Sequence, residues 1–374
     1  MKFSIEREIL LQNLNHVSKA LSTKPQMPIL TGIQIDVQDD YLKLTASNSE
    51  ISIQTKIDKN KDLIIEETGS VVLPGRYLLE IVRKVDAKII DFVSFEENMV
   101  KILADRSNFT LNVLDKSTFP YLVFEESEIN INLDVLNLKQ IIKKTAFAAS
   151  TSESRMVLTG VNFTTEKNKL EVIATDSYRL AKKFILFNNE YPTINVVISS
   201  KSLDELNKIL DDPNETVNIY FTNVKVLFKY KNILFQTRLI EGIYPNTASL
   251  IPTDFLTSLK FNKNELLAAI DRASLFTNSE MSNIIKLTLN SDKIVEITST
   301  TNEIGAVLEE LNPLYISNLI PFQIAFSSRY FLEAIKVFDS NEITIHFTGE
   351  IKPFIITGEY DVNHIQLILP VRVA

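Results

Sequence analysis

Met1-Lys2-Phe3-Ser4-Ile5-Glu6-Arg7-Glu8-Ile9-Leu10-Leu11-Gln12-Asn13-Leu14 opens the chain. Phe3 and Ile5 alternate with polar neighbours at the two-residue period of a half-buried strand, and the apolar residues that follow take helical spacing. The same transition returns as Ile131-Asn132-Leu133-Asp134-Val135-Leu136-Asn137-Leu138-Lys139-Gln140-Ile141-Ile142. It returns again as Leu259-Lys260-Phe261-Asn262-Lys263-Asn264-Glu265-Leu266-Leu267-Ala268-Ala269-Ile270. The copies lie about 128 residues apart, near a third of the 374. Solenoid units run only about 20–50 residues, so this period describes three copies of a domain.

A second set of matches lies inside each third. Val71-Val72-Leu73-Pro74-Gly75-Arg76-Tyr77-Leu78-Leu79-Glu80-Ile81 aligns with Val196-Val197-Ile198-Ser199-Ser200-Lys201-Ser202-Leu203-Asp204-Glu205-Leu206 and with Ile324-Ala325-Phe326-Ser327-Ser328-Arg329-Tyr330-Phe331-Leu332-Glu333-Ala334. In each, a strand meets a basic residue and an apolar helical stripe begins. Ser199/Ser200 and Ser327/Ser328 are expected N-caps, because a hydroxyl can accept from a free first-turn N–H.

Between the helices the pattern is antiparallel. Gly32–Val37 and Tyr41–Ala46 flank Asp39-Asp40, a hairpin signal, and Ile51–Ile57 alternates with period two. The pair recurs at 160–163 with 169–174, turning at Glu166-Lys167-Asn168, and at 285–289 with 294–297. Each third reads strand, helix, three strands, strand, helix, further strands: two βαβββ units per domain. Isolated helices among antiparallel strands mark an α+β class. Boundaries fall after Phe119-Pro120-Tyr121 and Tyr244-Pro245-Asn246, giving domains 1–126, 127–253 and 254–374.

Composition is that of an ordinary globular protein, 45% hydrophobic and 23% charged. There is no cysteine, hence no disulfide framework and no thiol chemistry. No apolar run approaches the ~18 residues of a membrane span, and Glu6, Arg7 and Glu8 interrupt any secretion signal. A cytoplasmic protein without membrane contact is expected. The eight glycines form no phosphate-cradling loop. The net charge of −8 argues against nucleic acid, but its distribution is uneven. Six expected helices, 6–21, 75–85, 137–150, 200–210, 262–276 and 327–338, hold fourteen Lys and Arg against eight Asp and Glu, which leaves −14 elsewhere. Helix propensity of Lys and Arg explains that as well as an anionic ligand does.

No catalytic constellation is found. His16, His346 and His364 are scattered without ligand spacing, and no nucleophile-elbow, zinc-protease or P-loop motif occurs. No metal and no cofactor are expected. Two stretches stand out. Ala174-Thr175-Asp176-Ser177-Tyr178-Arg179-Leu180-Ala181 is a polar turn with Tyr and Arg side by side. Leu367-Ile368-Leu369-Pro370-Val371-Arg372-Val373-Ala374 is an apolar chain end, where fraying polar tails are the norm. It is either a last strand or a segment that docks.

Several motifs, in this order, resemble the β subunits of bacterial DNA polymerase III, the ring-shaped sliding clamps. They are the opening Met1-Lys2-Phe3, Lys24-Pro25-Gln26-Met27-Pro28-Ile29-Leu30, Ala174–Leu180, Glu241-Gly242-Ile243-Tyr244-Pro245 and Leu369-Pro370-Val371-Arg372. The resemblance spans the whole chain, threefold repeat included. It implies a DNA clamp fold of three similar domains, with helices lining a central hole and sheets outside. It implies a non-catalytic processivity factor, a head-to-tail homodimer that encircles double-stranded DNA without regard to sequence. Implied partners are the DNA polymerase III alpha or PolC-type catalytic subunit, the clamp loader, and other polymerases and repair proteins with short clamp-binding motifs.

The resemblance also implies sites. Lys24, Arg76, Ser152 and Lys201 match DNA-contact positions, while Met156 and Val157 stand where some members carry aromatics. A groove for linear motifs is matched by Leu158, Thr175, Tyr178, Arg179, Leu180, Pro245, Leu250, Pro353, Leu367, Leu369, Pro370, Val371 and Arg372. Its rim departs from the family at Ser177, commonly glycine, and at Ser249, arginine in some members. Phe109 and Leu111 match the dimer face toward Leu275 and Phe276. Two alternatives weighed beside this are an enzyme site using Asp176, Tyr178 and Arg179, and a peptide scaffold with no DNA role.

Overall fold

The computed structural model describes residues 1–22, 27–96, 98–277, 283–301 and 305–372. The first third runs β1 (Lys2–Glu6), α1 (Arg7–Val17), β2 (Gly32–Val37), β3 (Tyr41–Ser47), β4 (Ile51–Asp58), β5 (Leu63–Glu67), β6 (Gly69–Pro74), α2 (Gly75–Lys84), β7 (Ile89–Phe95), β8 (Met99–Ala104) and β9 (Ser107–Asn112). The middle third runs β10 (Asn130–Asp134), α3 (Val135–Thr145), β11 (Gly160–Glu166), β12 (Lys169–Thr175), β13 (Arg179–Leu186), β14 (Asn195–Ser199), α4 (Ser200–Asn207), β15 (Thr216–Phe221), β16 (Lys225–Tyr230) and β17 (Ile233–Arg238). The last third runs β18 (Thr257–Asn262), α5 (Lys263–Ser274), β19 (Ile284–Leu289), β20 (Val295–Thr301), β21 (Gly305–Leu311), β22 (Tyr315–Ile316), β23 (Phe322–Ser327), α6 (Ser328–Lys336), β24 (Glu342–Phe347), β25 (Phe354–Gly358) and β26 (His364–Ile368).

The middle third is two βαβββ units, as its sequence indicates. The outer thirds each add a strand beyond that pattern. β5 pairs with β1, and the two-residue β22 pairs with β18. Each extends the sheet edge that β10 leaves unextended in the middle third. Among the described residues no helix is long and apolar enough to cross a membrane.

The chain divides into two compact units, 1–136 with 201–239, and 137–200 with 240–374. The first holds the sheets β5-β1-β7-β8-β9 and β10-β15-β16-β17-β4-β3-β2-β6. The second holds β14-β11-β12-β13-β26-β25-β24-β18-β22 and β21-β20-β19-β23. The middle third contributes to both units because its strand edges are not closed within it. β17 pairs with β4, and β13 pairs with β26.

Burial follows the sequence periods. Phe3 and Ile5 of β1 and Leu10, Leu14 and Val17 of α1 are all at most 1% exposed. α5 repeats the stripe with Leu266, Ile270 and Ala273, which pack on the Phe326, Phe331 and Phe354 cluster. Full burial of each such leucine, isoleucine, valine or phenylalanine is worth roughly 1.5–3 kcal/mol. Asn262 caps α5, its side chain accepting from the N–H groups of Asn264 (2.9 Å) and Glu265 (3.2 Å). Three of the serines expected to cap, Ser200, Ser327 and Ser328, are not seen capping. Ser200 Oγ donates to Thr159 O (2.8 Å) and Ser328 Oγ to Asn283 O (3.0 Å), while Ser327 makes no side-chain cap. Each hydroxyl bonds the carbonyl of the residue just before a neighbouring strand and pins the strand–helix junction.

Candidate functional site

The polar turn after β12 is built by its own side chains. Asp176 Oδ1 accepts from the N–H groups of Tyr178 (2.9 Å) and Arg179 (3.0 Å), and Thr175 Oγ1 donates to Arg179 O (2.5 Å). Ser177 takes the left-handed conformation, φ 78°. That region suits the glycine commonly found there and is sparsely populated by other residues. Arg155 Nη1 reaches Ser177 Oγ at 3.4 Å.

Arg179 is not the exposed cation its sequence neighbourhood suggests. It is 6% exposed, and every nitrogen of its guanidinium is engaged. Nε donates to Asp176 Oδ2 (3.0 Å), Nη2 to Phe147 O (2.7 Å) and Nη1 to Glu333. The rings of Phe147 and Tyr330 lie 5.2 and 4.6 Å from its centre, positions that favour a cation. Tyr330 stacks on Tyr178, which is 62% exposed. Arg179 therefore positions the tyrosine pair, with each of its nitrogens already donating inside the chain.

Beside this turn lies an aliphatic floor. Leu180 and Leu367 are buried with Ile173 and Ile355, and Tyr244, Ile251 and Leu369 pack against them. Leu158 is also buried, 2% exposed. The Tyr244 hydroxyl accepts from Thr175 N–H (3.0 Å), and burial pushes its pKa above the ordinary phenol value. Pro245, Pro353, Leu369, Pro370 and Val371 are half-buried, while Leu250 and Arg372 are exposed. β26 ends at Ile368, and the segment after it docks: Leu369 N–H donates to Tyr178 O (2.9 Å) and Val371 N–H to Ala325 O (2.7 Å). The thirteen groove residues all belong to the second unit. The arrangement can take apolar anchors on its floor beside an exposed tyrosine, the construction that linear-motif recognition uses.

The proposed DNA-contact residues within the described chain stand on separate elements. Arg76 and Lys201 are exposed at the second positions of α2 and α4, and Arg329 holds the same place in α6. A cation in the first helical turn opposes the helix dipole, so these positions are held by something other than helix stability. Ser152 is exposed and accepts from Ser154 N–H at the start of the 3₁₀ segment Glu153–Thr159. Lys24 lies outside the described residues. Met156 is exposed and Val157 half-buried.

Lys144, a helical cation by sequence, contributes no free charge. Its side chain is 3% exposed and its ammonium binds Asp361, itself 0% exposed, and Asp339 (2.8 Å). Burial opposes the charge on Lys144, but the hydrogen bonds it donates to Asp339 and Asp361 outweigh that and raise the pKa. Burial likewise opposes charge on Asp361. Lys144, Ser340 Oγ and the N–H groups of Asp339 and Ser340 overcome that and hold its pKa well below the ordinary range. Next to them His364 is pushed down to about 3, by burial first and then by the charge of Lys144. The histidine is neutral at neutral pH. Sequence spacing carries no trace of this cluster, whose Lys144 and Asp361 are 217 residues apart.

At the dimer candidates, Phe109 and Leu111 are half-buried on the edge strand β9. Leu275 follows α5 and is 70% exposed, with Phe276 half-buried beside it. β21 is an edge of its own sheet, and Leu308 on it is 57% exposed. Neither β9 nor β21 has a partner on its outer side among the described strands.

Three family models cover nearly the whole chain. The DNA polymerase III beta subunit N-terminal domain matches residues 1–123, the central domain 132–246 and the C-terminal domain 248–372. The chain belongs to the DNA polymerase III beta subunit family. The Beta sliding clamp of Bacillus subtilis is 42% identical over 377 residues, covering all of both chains. That of Staphylococcus epidermidis is 42% identical over 378 residues, covering 100% of this chain and 99% of the relative. The crystal structure of the Bacillus subtilis DNA polymerase sliding clamp superposes with a TM-score of 0.96 at 41% identity, with full coverage of both chains. A Streptococcus pneumoniae DNA polymerase III beta chain gives 0.95 at 35%, again with full coverage. The three-domain α+β clamp fold follows from this membership, as does the role of sliding clamp, an accessory and non-catalytic processivity factor.

Proposed function

We infer that two copies of this chain close head to tail into a ring around duplex DNA, with three domains per copy, 1–126, 127–253 and 254–374. The observation that carries this is the identity of the free edges. Phe235, Gln366 and Phe109 occupy one repeat position, each opposite Phe228, Ile356 or Ile102 on the preceding strand. Ile53, Ala181 and Val307 occupy another, opposite Ala46, Ala174 and Ser299. Phe235 pairs with Ile53, and Gln366 pairs with Ala181. The two joined seams thus share one register. Of these six, among the described residues, Phe109 and Val307 lack the corresponding partner, and in a second copy each finds the other. The half-buried Phe109 and Leu111 and the exposed Leu275 supply apolar area there. A heterologous contact of this kind closes into a ring when its rotation permits.

In this ring the helices face the hole, where Lys24, Arg76, Ser152 and Lys201 touch phosphates weakly and without reading sequence. The groove around Tyr178 and Leu367 takes short motifs of the replicative polymerase, the clamp loader and other polymerases and repair proteins. Its buried leucines accept the partner's anchors, and its docked chain end fixes their register.

Topological linkage gives a direct test. The protein, loaded by its clamp loader, is expected to stay on closed or nicked circular DNA through gel filtration and to leave once the circle is linearised. Equal retention on circles and open-ended linear DNA refutes encirclement.

A further inference from the structure

The β4·β17 seam of the first unit has the construction of the β13·β26 seam in the second. In its loop Asn48 Oδ1 accepts from the N–H groups of Glu50 (3.1 Å) and Ile51 (2.9 Å), as Asp176 does from Tyr178 and Arg179. Ser49 and Ser177 share φ 78°. Leu30 stands two residues before Gly32 as Leu158 stands before Gly160. By register, Gln236 and Thr237 hold the places of Leu367 and Ile368.

Where these parts meet, the structure has a cavity of about 170 Å³. Met27, Leu30, Pro120 and Leu122 form its apolar wall. A cavity of about 150 Å³ admits a benzene ring, so this one has room for a single aliphatic or aromatic side chain. Two of its polar features have no use inside the chain. Gln236 is 5% exposed and lines the cavity, yet its side-chain amide makes no hydrogen bond among the described residues. The amide is not sealed off from solvent, so its donor and acceptor stand open to the cavity. Lys225 and Arg238 are direct cross-strand partners, and neither forms an ion pair among the described residues. Like charges so placed repel. Glu50 is the one carboxylate among the lining residues.

We propose that this cavity is a second docking site, for an extended acidic peptide carrying one apolar anchor. The anchor fills the wall between Leu30 and Pro120. The Gln236 amide donates to a peptide carbonyl and accepts from a peptide N–H. A carboxylate beside the anchor sits between Lys225 and Arg238 and relieves their repulsion. A nucleic acid would use the two cations but leave the apolar wall and the amide unused. The proposal shares with the groove reading only the common construction of the two seams.

The test selects a displayed library of random twelve-residue peptides on the full chain and sorts the enriched peptides by variant. One class, with an apolar residue next to Asp or Glu, is expected to bind at least tenfold more weakly to Gln236→Leu and to Lys225→Ser with Arg238→Ser. The same class keeps its affinity for Tyr178→Ala and binds Glu50→Lys more tightly, a gain that misfolding cannot produce. If Tyr178→Ala removes every enriched peptide and the seam variants remove none, this proposal falls and the groove reading stands. If no peptide is enriched, both fall. If the seam variants weaken only a duplex oligonucleotide, the cations serve nucleic acid and the proposal is overturned.

Discussion

Removing one buried ammonium tests the account of the β13·β26 seam. Lys144→Met keeps a similar stem and deletes the charge that neutralises Asp361 and Asp339. Asp339 is half exposed, so water replaces its partner there. Asp361 is fully buried and cannot recruit water. Breaking a buried pair in this way costs roughly 3–5 kcal/mol. Asp361 retains Ser340 Oγ (2.6 Å) and the N–H groups of Ser340 (2.9 Å) and Asp339 (3.1 Å), which places the loss near the lower end, ~3 kcal/mol. Asp361→Asn alone is milder because Lys144 keeps Asp339. In a double-mutant cycle the pair should couple by about 2 kcal/mol. Native-state hydrogen exchange at Ala181 and Leu367, both in the paired strands, reads the effect locally, and urea unfolding reads it globally. An NMR titration adds a third readout: without the Lys144 charge the pKa of His364 rises from about 3. A loss below ~1 kcal/mol, additivity within ~0.5 kcal/mol, or a fixed His364 pKa would refute the reasoning.

Leu275→Ala with Phe276→Ala should weaken each ring seam by about 3 kcal/mol, since each side chain carries roughly 1.5–3 kcal/mol when fully buried; sedimentation that still shows dimer at nanomolar protein defeats the seam assignment. Deleting residues 369–374 removes the bonds from Leu369 and Val371 and should cut affinity for clamp-binding peptides at least tenfold, with the protein still dimeric; unchanged peptide binding reduces the chain end to structural packing. Because the folded His364 pKa lies below the unfolded value, the histidine's contribution is complete above about pH 6.5 and is lost as pH falls toward 3. At pH 5 that is ~2 kcal/mol, at about 1.4 kcal/mol per unit. His364→Gln should flatten the stability profile between pH 4 and 6.5, and an unaltered slope in urea unfolding assigns the acid sensitivity elsewhere.

Much of this architecture is written in local pattern. Alternation at Phe3 and Ile5 and the helical stripe after them depend only on which face of a nearby segment meets apolar neighbours. The same holds at Leu133 and at Phe261, which is why the threefold repeat and the α+β class could be read from residues alone. That Leu180, Leu367 and Leu369 pack together is a property of the fold, while their order was legible through resemblance. The extra strands β5 and β22 were not, since short edge strands are defined by a partner rather than by their own alternation. Nor was the work of Ser200 and Ser328, whose hydroxyls bond the carbonyls of Thr159 and Asn283, far away in sequence.

Sequence by itself determined the period, the elements within each third, the apolar floor near the chain end and the cations at the helix starts. Those properties are set by spacing along the chain. Tertiary structure alone decided that Arg179 is enclosed by Glu333 and Phe147, that Lys144 is neutralised by Asp361, and that two strand edges are joined while β9 and β21 stay open among the described residues. Charge and hydrogen-bond partners are chosen by distance in space, and residues more than a hundred positions apart leave no periodicity by which to find one another.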